Sequence, residues 1–365
     1  MAKRVSLVVA AVILLLLALN FSGLFPTTHE VESTGRTMGT TWSVKYVTDE
    51  SNEEEVLASM KQALVKVNQQ MSTYIPDSEL MLLNKAPVNE PIAVSPELFR
   101  LAEQAMKVSE LSGGAYDITA GSLVNLWGFG SGKSFSGQAP AQIDEKAEPA
   151  FAKWLESGQV SVAPDPAAIA EALKKTGYKT LILNAKDRTI TKTMPVFIDL
   201  SSIAKGYGVD EVAHALEAHG ITRYMVEVGG EVRLRGKKPG NEPWRIAVRE
   251  PVLENRIQTV ITLNNKGIAT SGDYLNYYEV DGVHFSHLID ARTGYPEKHR
   301  LASVAVVNDD TGIADAYATM FMVLGEKAGI KLAEEQGIDA YFIYHTDEGF
   351  ETRTTGNFSS YILDK

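Results

Sequence analysis

Stretches with apolar residues at helical spacing and stretches that alternate apolar with polar residues follow one another along this chain. That interleaving restricts it to a mixed α+β fold. Glu53 to Met71 puts Val56, Leu57, Met60, Leu64, Val67 and Met71 on one helical face, with Ser51 or Asn52 as cap and acids in the first turn. Pro96 to Ser112 repeats the device, with Ser95 as cap, Pro96 at the first helical position and Gly113-Gly114 as the stop. Further helices are expected over Pro166 to Thr176, Ala204 to His219, Gly312 to Leu324 and Lys327 to Gln336. Strands are expected at Thr41 to Val47, Thr180 to Leu183, Val196 to Ile198, Met225 to Val228, Trp244 to Arg249 and Ala340 to Tyr344. Phe129 to Pro166 is rich in Gly, Ser, Ala and Pro and reads as a surface excursion with at most a short helix around Ala147 to Leu155.

The N-terminus stands apart. Lys3 and Arg4 precede an apolar run from Val5 to Leu19, the order of an export signal. A membrane span needs about 20 apolar residues, which this run reaches only with Phe21, Leu24 and Phe25. Residues 1–25 therefore read as either a cleaved signal peptide or a retained anchor, with the body translocated. Residues 26–33 read as a polar linker, and 34–360 as one folded domain carrying an insertion at about 130–165. A formal net charge of −11 repels polyanions, which argues against nucleic acid as a partner. With no cysteine, any metal must be held by oxygen or nitrogen, and magnesium is the natural first expectation.

Three blocks could carry chemistry. Asp199-Leu200-Ser201-Ser202-Ile203-Ala204-Lys205 opens a helix, where free N–H groups and a lysine suit a phosphate, although a Ser-rich helix start is also an ordinary cap. In Gly312 to Thr319, Asp315 and Thr319 stand one helical turn apart on a shared face, and carboxylate plus hydroxyl suits a hard cation. The dull alternative is an acid favoured by the helix dipole and a threonine packed on the core. In Val283 to Pro296, His284 and His287 lie near Asp290 and Arg292, which supports an acid/base role; strand alternation does not by itself pair His287 with Asp290. Tyr74, on a Pro-containing loop, could stack on a planar ring, and Gly113-Gly114 allows close backbone approach ahead of Ala115, Tyr116 and Asp117.

Taken in order over Ser33 to Phe358, these blocks resemble the FAD:protein FMN transferase family, also called the ApbE or flavin-trafficking family. The resemblance is carried by Met38-Gly39-Thr40, MSTYIPDSEL, GGAYDITAGSLVNLWGFG, IDLSSIAKGYGVD, VGGEVRLRG, TSGDYLNYY, HLIDARTGYP and ADAYAT. It implies a two-lobed, mixed-sheet α+β fold with FAD between the lobes. FAD contacts would fall to Met38, Tyr74, Ala115, Tyr116, Asp117, Asp199, Lys205 and Ile289, with Tyr74 stacked on the isoalloxazine ring. Mg2+ would take the Ser202 carbonyl, Asp315 and Thr319. His287 matches the family's acid/base histidine, Asp290 is the other candidate base, and Lys205 would offset phosphate charge. The chain departs from the family at Ala291, often proline there, and at Glu231, more usually aspartate. It also lacks the cysteine after the leader that many relatives acylate, and its segment from about Lys133 to Val162 is long for the family.

The implied activity is magnesium-dependent transfer of the FMN half of FAD to a Thr or Ser hydroxyl of an acceptor flavoprotein, with release of AMP. By the same resemblance the acceptor would be a membrane-linked respiratory subunit, and the enzyme would sit on the periplasmic side of the inner membrane, by its N-terminal segment if that is kept. Two other readings use the same residues: an FAD pyrophosphatase, in which water replaces the acceptor, and a non-catalytic FAD carrier.

Overall fold

The computed structural model describes residues 28–131, 164–251, 256–273, 277–280 and 283–363. The leader, most of the expected surface excursion and its short helix lie outside the described residues.

One eight-stranded sheet organises the molecule. Its strands are β1 (His29–Thr37), β2 (Thr40–Thr48), β3 (Tyr224–Val228), β4 (Glu231–Arg235), β5 (Lys266–Gly272), β6 (Leu301–Asn308), β7 (Asp339–Thr346) and β8 (Gly349–Thr355). They lie side by side in chain order, each antiparallel to the next. The longest excursion, between β2 and β3, supplies the helices α1 (Glu53–Met71), α2 (Glu79–Lys85), α3 (Pro96–Leu111), α4 (Gly121–Leu126), α5 (Pro166–Leu173) and α6 (Ser201–Ala218). It also supplies a three-stranded sheet of Ile92–Ala93, Leu181–Asn184 and Thr189–Lys192. The last helix, α7 (Thr311–Gln336), joins β6 to β7.

Strand alternation explains how the sheet is covered on both faces. Val304 and Val306 of β6, with Ala340 and Phe342 of β7, join the cluster that contains Ala314, Ala318 and Phe321 of α7. Their neighbours Ala305, Val307, Tyr341 and Ile343 turn to the other face, onto Trp244, Val248, Ile261 and Phe358. The first cluster also holds Leu98 and Leu101 of α3 and Leu181 and Ile190 of the small sheet, so these elements share one continuous core with the eight-stranded sheet.

Several expectations are refined. The supposed linker folds from His29 onward as β1: its polar, half-exposed residues suit an edge strand, whose composition resembles a loop. Val196 to Ile198 is no ladder strand; Phe197 makes a single parallel bridge to Ala120. Asn52 caps α1 by position only, its side-chain amide donating to Glu50 instead. Ser95 does cap α3, accepting from the Leu98 N–H at 3.2 Å. The two helices expected over Gly312 to Leu324 and Lys327 to Gln336 are both present as the two halves of α7, parted at Gly325, whose φ of 75° takes the left-handed region.

The start of α7 is fixed from α6. Asp210, buried, accepts from the Thr311 N–H (2.7 Å), the Thr311 hydroxyl (2.6 Å) and the Gly312 N–H (3.2 Å), and Arg233 donates to it at 3.1 Å. Burial, then the nearby Asp310, push its carboxyl up to about 6. Asp210→Ala strands three donors at a helix N-terminus and is expected to cost about 3 kcal/mol. The melting temperature should fall by roughly 5 °C or more in a calorimetric scan, and an unchanged melt would remove Asp210 as the tie between the helices.

Candidate functional site

The helices α6 and α7 touch backbone to backbone at Gly206. A Cβ there would stand 2.2 Å from the Thr311 carbonyl oxygen and 2.9 Å from the Asp315 Cβ. This contact lets Asp315 Oδ2 accept from the Gly206 N–H at 3.0 Å. A regular helix directs that same N–H at the Ser202 carbonyl, so Asp315 competes for it and leaves Ser202 acceptor capacity. One turn beyond Asp315, Thr319 brings its hydroxyl to 3.5 Å from that of Ser271 on β5.

Lys205 reaches into the same space. Its ammonium pairs closely with Glu231 and lies 3.9 Å from Asp315 Oδ1. Burial pulls the lysine down, but Asp315 and Glu231 outweigh it and hold it above the ordinary lysine range. Burial pushes the Asp315 carboxyl up, against Lys205 and the Gly206 N–H. One ammonium thus serves two buried carboxylates, which leaves a net negative charge that favours a cation on Asp315.

These groups face a cleft of about 440 Å³, a size typical of small-molecule sites. Met38, Tyr74, Tyr116, Asp117, Asp199, Ser202, Lys205, His287, Ile289, Asp315 and Thr319 all line it. Met38 sits in the two-residue turn between β1 and β2 at φ 50°, a conformation costly for a side chain, and its thioether packs on Gly208 of α6. Tyr74 is 58% exposed at the rim, so its ring is open to stacking. Tyr116 is buried and accepts from the Ser202 hydroxyl at 2.8 Å; burial raises its phenol above the ordinary range.

Two short backbone links bring the aspartates together. The Asp199 N–H donates to the Ile118 carbonyl (2.7 Å) and the Gly121 N–H to that of Phe197 (3.2 Å). Asp117 then accepts from Thr119 and from the Tyr178 N–H, and Asp199 from the Ser201 N–H at 2.8 Å, each carboxylate organising its own loop. The His287 ring stands edge-on to Phe129, with centroids 6.2 Å apart at 66°.

Ala115 and Asp290 are not part of the cleft lining. The Ala115 carbonyl accepts from the Ala291 N–H at 3.1 Å, tying the glycine-led loop to the segment that carries His287. Asp290 is buried, and both its oxygens are held by Arg292, at 2.9 Å from Nε and 2.6 Å from Nη2. Ser271 and Phe129 line the cleft without having been singled out; each lies inside a quoted motif, but neither has a titratable group to draw notice.

Near this turn, burial and then the Asp290 charge push Glu297 up to about 7, with Arg292 opposing. A raised acid favours the folded state below the unfolded pKa, about 4.3, and that contribution is lost as pH rises through about 7. Glu297→Gln should therefore gain on the wild type between pH 5 and pH 8, by at most about 3 kcal/mol. Urea unfolding of both proteins at the two pH values tests this, and parallel losses would overturn it.

Among the described residues no three His, Asp or Glu side chains gather to hold a metal. A cation here would draw on one carboxylate, one hydroxyl, a carbonyl and ligand oxygens, the donor set that suits magnesium, and the residues present fit it. Fold and cleft together define a class: an antiparallel α+β protein whose converging helix N-termini set an acid, a hydroxyl and an ammonium group below an exposed aromatic ring. The chain belongs to the ApbE family, whose sequence profile matches residues 38–342. It is 38% identical to the FAD:protein FMN transferase of Haemophilus influenzae over 96% of either chain. It is also 38% identical to that of Vibrio cholerae over 92% of this chain and 93% of the relative. The solved flavin transferase ApbE from Vibrio cholerae superposes with a TM-score of 0.79 at 36% identity, over 92% of this chain and all of that one.

Proposed function

We propose that this protein is an FAD:protein FMN transferase that works with Mg2+ and releases AMP. The observation that carries the reading is the meeting of Lys205, Asp315 and Thr319 at two helix N-termini in a cleft rimmed by Tyr74. Tyr74 stacks on the flavin ring, and Lys205 faces the pyrophosphate as a point charge. A cation at Asp315, Thr319 and the Ser202 carbonyl supplies neutralisation of phosphate charge. His287 accepts the proton of the acceptor Thr or Ser hydroxyl as that oxygen bonds to the FMN phosphorus. The bond from that phosphorus to the bridging oxygen breaks, and AMP leaves with the bridging oxygen. The leader, with Lys3 and Arg4 before its apolar run, supports an exported body on the periplasmic side of the inner membrane and a membrane-linked acceptor flavoprotein.

Incubation with FAD, Mg2+ and a candidate acceptor, read by intact mass and AMP assay with an EDTA control, tests this. A mass gain equal to an FMN phosphoester, matched by AMP and abolished by EDTA, is expected. AMP and free FMN in place of acceptor modification would make the protein a pyrophosphatase, and bound FAD with no AMP would make it a carrier.

A further inference from the structure

We propose that Glu231 is a positioning residue that holds the Lys205 ammonium off Asp315, leaving one Asp315 oxygen open to a divalent cation. This rests on the reading of Asp315 as a cation ligand.

Glu231 opens β4 directly after the two-residue turn Gly229-Gly230 that joins it to β3. Gly229 has a φ of +61°, and a Cβ there would meet Thr40 Cγ2 at 2.8 Å and Lys205 Cδ at 3.3 Å. The hairpin tip thus lies on the lysine stem and fixes its path, while the next side chain takes its ammonium. Glu231 is 1% exposed, and its second oxygen has no hydrogen-bond partner. An acid so buried and so little used elsewhere is a poor structural element, since burying a carboxylate costs more than burying an apolar residue of its volume. Its use is the pair with Lys205.

Asp315 completes the geometry. Its Oδ2 is committed to the Gly206 N–H, so Oδ1 is the oxygen available to a cation, and Lys205 Nζ stands 3.9 Å from it. While Glu231 carries its charge, the ammonium rests against Glu231. With that charge removed, Asp315 is the carboxylate left beside the ammonium, and attraction in a poorly solvated pocket draws Lys205 onto Oδ1. An incoming cation must then displace a bound ammonium.

The test is a Mn2+ titration of the purified full chain, followed by loss of the free-ion electron paramagnetic resonance signal, with no FAD present and hence no turnover. Glu231→Gln keeps shape and removes charge, and should weaken Mn2+ binding about tenfold or more. Adding Lys205→Met to Glu231→Gln should bring binding back to within about threefold of wild type, because the competitor is gone. A purely structural role would change the melting temperature and would not be reversed by removing Lys205. Equal binding by wild type and Glu231→Gln, or a double variant as weak as Glu231→Gln, overturns this inference alone. Wild type that takes up no more Mn2+ than Asp315→Asn overturns the cation reading and this inference with it.

Discussion

Asp315→Asn is expected to slow AMP release from FAD by about a thousandfold or more while FAD affinity changes by less than about tenfold. The asymmetry follows from where the carboxylate sits. Oδ2 keeps a structural task, accepting from the Gly206 N–H, and the asparagine carbonyl can still perform it. Oδ1 faces the cleft and Lys205, and with the Thr319 hydroxyl one turn away it is the chain's strongest candidate ligand for a hard cation. On the proposed reading, FAD binding would draw on other cleft walls, around Tyr74, Met38 and Ile289. Single-turnover AMP release, with FAD affinity from quenching of flavin fluorescence, separates the two effects. Full activity in the asparagine variant would remove the metal role, and parallel losses of binding and rate would make Asp315 a general binding residue.

The sequence makes parts of this site readable because they are local. Asp315 and Thr319 share a helix face by spacing alone, and elsewhere in the fold Ser95 and Pro96 carry their meaning within a few residues. What could not be read depends on contacts between distant segments. Asp210 looks like one more acid on α6 until the fold puts it over the first N–H groups of α7. Glu231 looks like a strand residue until the Gly229-Gly230 turn lays it beside Lys205. Val196 to Ile198 reads as a strand because its letters are apolar, yet its pairing amounts to one bridge, Phe197 to Ala120, flanked by two hydrogen bonds. β1 hides for the converse reason: an edge strand exposes half its residues and keeps the composition of a linker. The strands do fall in chain order across the sheet, but alternation reports faces and leaves partners unspecified.

The choice of base between His287 and Asp290, open from sequence, becomes a prediction with two opposite signatures. His287 lines the cleft beside Phe129. His287→Ala should therefore lower FMN transfer by about 10² to 10⁴, the range of a lost general base, with the melting temperature almost unchanged. Asp290 is outside the lining, and both its oxygens are occupied by Arg292, while its backbone carbonyl accepts from the Thr293 and Gly294 N–H groups. With both oxygens engaged by the guanidinium, Asp290 braces the turn and presents no free oxygen to the cleft. Asp290→Asn should thus lower stability by about 2 kcal/mol, through the loosened Arg292 turn, and reduce transfer less than tenfold at temperatures where the protein stays folded. Transfer rates and melting curves of both variants, measured with one acceptor and saturating FAD, decide the matter. A large rate loss in Asp290→Asn at an unchanged melting temperature would reassign the base to Asp290, and His287 would then be a residue that shapes the cleft mouth.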